Sequence, residues 1–190
     1  MRRRLHLAGL ILGGAILLAM QGCSRPAAPE VKLGGPFSLI DSQGRRFTDA
    51  DLKGKPYVIF FGFTYCPEVC PTTLTALTAE MKALGPDADK LKVVYVSIDP
   101  DRDTAAQMRQ YLAMFDPRII GLTGTGPQVA QIAKEYNVYY RRVPLPGGTY
   151  TMDHTAGIYL VRRDGTFVTL MSYLTPIQDA TQQLRNLVHS

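Results

Sequence analysis

The chain is poor in cysteine and histidine, with three of each in 190 residues. So little cysteine excludes a scaffold that depends on disulfides. A chain of this length buries its own core, and a bridge between two cysteines as close as Cys66 and Cys70 closes too short a loop to stabilise much. The sequence also lacks the run of about 20 apolar residues that a membrane-spanning helix needs, since the N-terminal apolar run, Leu5 to Met20, is 16 residues. No Lys/Arg cluster with interleaved aromatics occurs, which leaves nucleic-acid binding without support. There is no internal repeat, so one domain is the expectation.

Much of the basic charge belongs to the N-terminus. Residues 1–22 carry Arg2, Arg3 and Arg4 and no acid, so 18 basic residues face 16 acidic ones in the remainder. A basic start, an apolar run and the small residue Gly22 read as an export signal over 1–22. Leu18-Ala19-Met20-Gln21-Gly22-Cys23 resembles a bacterial lipoprotein cleavage box, with Cys23 as the lipidated residue, although Met20 and Gln21 depart from its usual residues. An uncleaved signal anchor with an idle Cys23 is the alternative. Residues 23–32 form a Pro/Ala-containing tether, and the folded domain is expected over 33–190, on the periplasmic side of a membrane in a bacterial cell envelope.

Within that domain, Phe37 to Thr48 reads as a hairpin around Gln43-Gly44. Tyr57 to Phe63 and Lys92 to Ile98 are apolar on both faces, as central strands are. Leu74, Leu77, Met81 and Leu84 recur at helical spacing. Pro71 puts the start of that helix at residue 71, with Cys70 as its cap. Thr104 and Gln107 read as a capping box before the face Met108, Tyr111, Leu112 and Phe115. Arg118 to Leu122 is a short strand, Val129 to Tyr136 a further helix, and 138–143 extended. Residues 144–148 form a mobile loop. Gly157 to Val161 and Thr166 to Met171 make a hairpin, and a last helix presents Ile177, Ala180, Leu184 and Leu187. Strands alternating with helices and ending antiparallel predict an α/β three-layer sandwich with a mixed central sheet and an N-terminal β-hairpin.

The chemistry concentrates in Cys66-Pro67-Glu68-Val69-Cys70-Pro71, where a buried strand gives way to a helix. This is the thioredoxin-like placement of a thiol pair, with three intervening residues instead of two. A helix N-terminus favours thiolates. Two adjacent thiols form a disulfide or grip a soft metal, Cu(I) or zinc. His6 lies in the signal and His189 is penultimate, which leaves His154. It precedes a core strand and so falls at a sheet edge facing the cysteine turn, where an imidazole completes a three-coordinate set. A lone histidine is more often an ordinary loop residue. Met152 is a further soft candidate, although a core methionine is commoner. Asp99, Asp101 and Asp103 suit a hard cation or a partner-facing patch, but solvated acids at a turn and helix cap are the more ordinary reading.

Together these segments resemble the Sco/SenC family, copper proteins of cytochrome c oxidase assembly. The resemblance rests on Phe61-Gly62-Phe63-Thr64-Tyr65-Cys66-Pro67 with Cys70-Pro71-Thr72, Val96-Ser97-Ile98-Asp99-Pro100 with Arg102-Asp103-Thr104, Leu122-Thr123-Gly124 and Asp153-His154-Thr155, over roughly 33–188. It implies a thioredoxin-like fold and copper, Cu(I) or Cu(II), held by Cys66, Cys70 and His154. It also implies a metallochaperone that delivers copper to, or prepares, the binuclear centre of oxidase subunit II. Subunit II or another copper acceptor, a periplasmic copper donor and a membrane reached through the N-terminal anchor are the partners it suggests. A thiol–disulfide reductase acting on the target's cysteines is the second class. Cys66 and Cys70 would then be catalytic and cycle through a Cys66–Cys70 disulfide. A peroxidase in which one cysteine attacks and the other resolves is a more distant third. Disulfide exchange needs no distant imidazole, so His154 weighs for the metal.

Overall fold

A computed structural model describes residues 33–190. The expectations for the signal 1–22, for Cys23 and for the tether 23–32 lie outside these residues. Among the described residues no helix is long and apolar enough to cross a membrane.

The fold is built on a central mixed sheet. Strand β3 (Tyr57–Gly62) is buried at every position, as its uninterrupted apolar sequence demands. It lies parallel to β4 (Lys92–Ser97), which lies parallel to β5 (Ile119–Thr123). Each of these strands leads into a helix: α1 (Val69–Leu84), α2 (Ala105–Leu112) and α3 (Gly126–Glu135). The N-terminal hairpin, β1 (Ser38–Asp41) and β2 (Arg46–Thr48), extends the sheet beyond β5. The Asp41 carboxylate holds its turn, accepting from the Gln43 and Arg45 N–H groups at 2.9 Å each. After α3 come β6 (Tyr140–Pro144) and β7 (Tyr150–His154), then β8 (Ile158–Val161) and β9 (Phe167–Met171). Strands β8 and β9 add antiparallel on the far side of β3, giving the order β2-β1-β5-β4-β3-β8-β9. Helix α4 (Ile177–Val188) closes the chain and packs on α1.

Alternation along β3 sends side chains into two apolar layers. Phe60 stacks on Tyr95, whose ring tilts against Tyr111 of α2. Phe61 points the other way, against Tyr136 and Tyr159. The mixed three-layer α/β sandwich is therefore as expected.

Several local expectations need correction. Helix α1 starts at Val69, with Glu68 as its N-cap, so Cys70 lies inside the first turn. The first N–H groups of a helix have no intrahelical partner, so Pro71 costs nothing at the third position. Thr104 caps α2 through one bond, its Oγ1 accepting from the Gln107 N–H, and that helix ends before Phe115. Ile177 is exposed. Residues 138–143 and the loop that follows are not separate pieces. Strands β6 and β7 pair as a hairpin outside the main sheet, in register from Tyr140↔His154 to Pro144↔Tyr150.

Candidate metal centre

Strand β3 ends at Gly62, and the chain turns through Phe63-Thr64-Tyr65 to Cys66 at the N-terminus of α1. Gly62 is needed at this spot, because a Cβ there would come within 2.7 Å of Cys70 Sγ and 2.8 Å of the Tyr95 ring. The Cys70 N–H donates to Cys66 Sγ at 3.4 Å. Cys70 is buried and Cys66 partly so, and both are free thiols. The structure thus describes the reduced form, and the expected Cys66–Cys70 disulfide is a separate redox state.

The two sulfurs differ sharply in acidity. The Cys66 thiol is pushed down to about 4. The largest cause is the hydrogen bond donated by the Cys70 thiol, with smaller help from the Cys70 and Glu68 N–H groups; burial opposes these. Cys70 is pushed far up, first because its proton is held by the Cys66 sulfur and next by burial. Of the two, Cys66 is the sulfur held toward the thiolate and Cys70 the one held toward the thiol. Tyr95 is fully buried beside them, and its hydroxyl has no hydrogen-bond partner among the described residues.

His154 arrives from β7. Its Nδ1 is 2.9 Å from the Thr155 carbonyl oxygen. A carbonyl only accepts, so Nδ1 carries the hydrogen and Nε2 keeps its lone pair. That Nε2 lies 4.0 Å from Cys70 Sγ. The ring packs edge-on against Phe60 and Phe63, at 6.4 and 5.9 Å between centres. A metal bonded to sulfur at about 2.3 Å and to imidazole at about 2.0 Å, roughly 120° apart, spaces the donors by about 3.7 Å. The observed gap fits one shared ion after a shift of a few tenths of an ångström. No preformed cage of three His, Cys, Asp or Glu side chains exists among the described residues. The donors converge without being fully drawn in. The set of two sulfurs and one nitrogen suits a soft cation.

Other candidates fall outside this set. Met152 is half-buried against the core. Asp99 and Asp103 are 1% and 0% exposed, so they are not solvated turn acids. Both carboxylates are already engaged by neighbouring side chains, which argues against a hard-cation site. A cavity of about 490 Å³ lined by Leu33, Asp49, Lys53, Tyr57, Tyr136 and Arg163 lies at the opposite end of β3. Gly62 and Tyr95 were not picked out from the sequence. The signal for Gly62 was a glycine inside an otherwise apolar β-strand, the mark of close approach by a neighbour.

The SCO1/SenC family profile matches residues 25–189. The chain belongs to the SCO1/SenC family. The curated SCO1/SenC relatives include Protein SCO2, mitochondrial, of Saccharomyces cerevisiae, 38% identical over 84% of this chain and 54% of its own length. The SCO2-like protein RC0895 of Rickettsia conorii is 33% identical over 90% of this chain and 88% of its own. The chain spans about half the length of the mitochondrial relatives it matches. Among SCO1/SenC structures, Bradyrhizobium japonicum ScoI with copper bound superimposes with a TM-score of 0.78 at 46% identity, covering 82% of this chain and 99% of that one. Yeast Sco1 with copper bound does so with 0.77 at 36%, covering 84% and 90%.

Proposed function

We propose that this chain is a copper carrier in cytochrome c oxidase assembly, holding its cargo with Cys66, Cys70 and His154. The observation that carries this reading is the approach of His154 Nε2 to within 4.0 Å of Cys70 Sγ, beside the sulfur of Cys66. The copper-bound family structures support the choice of metal. Copper binds thiolates, so loading displaces thiol protons and strengthens as pH rises. The acceptor is the binuclear centre of oxidase subunit II or a similar thiolate–imidazole site, since such ligands can take over the ion one at a time. A periplasmic donor supplies it. The export signal 1–22, lipidation at Cys23 and a tether over 23–32 would hold the domain at the periplasmic side of an envelope membrane. The reductase reading is set aside because thiol exchange gives His154 nothing to do.

Titration of the reduced protein with Cu(I) against a competing chelator tests this. We expect about one copper per chain, loss of tight binding in Cys66→Ala and Cys70→Ala, and weakened binding in His154→Ala. Wild-type affinity in His154→Ala overturns the three-ligand site.

A further inference from the structure

The ligands arrive on two separate arms. The cysteines come on the turn after β3, and His154 comes on the β6–β7 hairpin, which shares no backbone ladder with the main sheet. Both arms are gripped by the same five residues, Asp99–Asp103, in the turn between β4 and α2.

On the histidine side the point of attachment is Tyr150. It begins β7 and His154 ends it, so the two lie on one face about 13 Å apart along the strand. The Tyr150 hydroxyl donates to Asp99 Oδ1 at 2.9 Å. Its carbonyl oxygen accepts from Arg102 Nη1 at 2.9 Å. Its ring is flanked by two guanidinium groups, Arg102 at 3.7 Å and Arg142 at 4.0 Å from the ring centre. Arg102 also pairs through Nε with Asp99, and Arg142 pairs with Asp101. Tyr140 and Met152 supply an apolar underside against the core.

On the cysteine side the attachment is Thr64, two residues before Cys66. The Asp103 carboxylate accepts from the Thr64 N–H at 2.9 Å and from the Thr64 and Ser97 hydroxyls at 2.6 Å each. The Asp103 carbonyl accepts from the Thr123 hydroxyl at 2.6 Å, which ties the turn to β5. Arg102 spans the gap between the arms, lying 4.8 Å from the centre of the Tyr65 ring and 5.8 Å from that of Phe63.

We propose that the Asp99–Asp103 turn is a bracket that sets the position of His154 relative to the two cysteines, with Arg102 as the positioning residue for the histidine arm. The proposal deepens the copper-site reading and rests on it for its purpose, although not for its geometry. Asp103 fixes the cysteine arm to the sheet. Asp99, Arg102 and Asp101 fix the hairpin to the same turn. Arginine suits the task because its planar fork bonds a carboxylate and a carbonyl while its face covers a ring. Tyr150 is the matching element on the hairpin, held at its hydroxyl, its carbonyl and both ring faces.

Amide hydrogen exchange on the reduced, metal-free protein tests the bracket directly. In Arg102→Ala the amides of residues 140–154 should lose protection about tenfold or more, while those of β3 and residues 64–70 stay as in the wild type. Tyr150→Phe removes only the bond to Asp99, and should give a smaller loss confined to the same hairpin if the first variant folds poorly. Unchanged hairpin protection in both variants, or an equal loss in both arms, overturns the proposal. Cu(I) affinity supplies a second readout. Arg102→Ala should weaken binding about tenfold, and the double variant Arg102→Ala/His154→Ala should bind as His154→Ala does. Losses that multiply overturn the proposal. If His154→Ala alone leaves affinity unchanged, the copper-site reading fails, and hydrogen exchange still decides the bracket.

Discussion

The opposed acidities of Cys66 and Cys70 give the site a pH signature of its own. The folded Cys66 thiol titrates far below its unfolded value, so between about 4 and 9 the unfolded chain binds more protons and stability from this group rises with pH. The folded Cys70 thiol titrates above its unfolded value, so its contribution is lost as pH rises past about 9. Comparing reduced wild type with Cys66→Ala by denaturant titration should show a stability difference that grows from pH 5 to 8 and reverses above 9. A flat difference would contradict these opposed shifts. The same asymmetry makes Cys66 the reactive thiol: iodoacetamide at pH 6 should label Cys66 and leave Cys70 untouched, as peptide mapping would show. Gly62 is the other residue with little latitude. Gly62→Ala should cost copper affinity at least tenfold, because the added methyl displaces Cys70 Sγ or the Tyr95 ring; chelator competition reads this. Unaltered affinity would mean that the sulfur moves freely.

At the scale of elements, α1 carries a mismatch that is independent of the metal site. Glu80 is 3% exposed, one of its oxygens has no partner among the described residues, and burial pushes its carboxyl up from 4.5 to about 7. Its folded value lies above its unfolded one, so the folded state binds the extra proton between these limits and stability falls as pH rises through them. That loss amounts to about 3 kcal/mol once Glu80 is ionised. The stability of Glu80→Gln relative to the wild type should therefore rise from pH 5 to 8; a difference between the two that does not change with pH removes the argument. The elements themselves were unequally legible in the sequence. Strands β3 and β4 and helices α1 to α3 were readable because an apolar run or a 3.6-residue period survives in each. The β6–β7 hairpin was not, because the charged residues Arg141, Arg142 and Asp153 interrupt any apolar pattern and the pairing lacks a tight turn between apolar runs. The start of α1 was misplaced because proline was allowed only at the first helical position, although the whole first turn tolerates it.

For the molecule as a whole, Cys66, Cys70 and His154 could be grouped from the sequence because cysteine and histidine are so scarce in this chain, and the fold brings them together. The supports were not, because Arg102, Tyr150 and Asp103 are ordinary residue types whose role exists only once β4, β6 and β7 have been brought together. The aspartates read as solvated turn acids from local composition, yet two are buried, and only tertiary structure could show that. Oxidation offers a test at this scale. Closing a Cys66–Cys70 disulfide consumes both sulfur ligands, so oxidised protein should bind copper at least 100-fold more weakly and recover on reduction. Tight binding by the oxidised form would refute a thiolate site. The separation of the histidine hairpin from the seven-stranded sheet has a broader result. The buried apolar packing lies in the sheet and its two layers, whereas the proposed bracket holds the histidine hairpin with a handful of polar side chains. Grip on an ion and resistance to unfolding can then vary independently. Natural variation can retune how readily a site of this kind releases an ion, one polar residue at a time, without reworking the apolar core that keeps the domain folded.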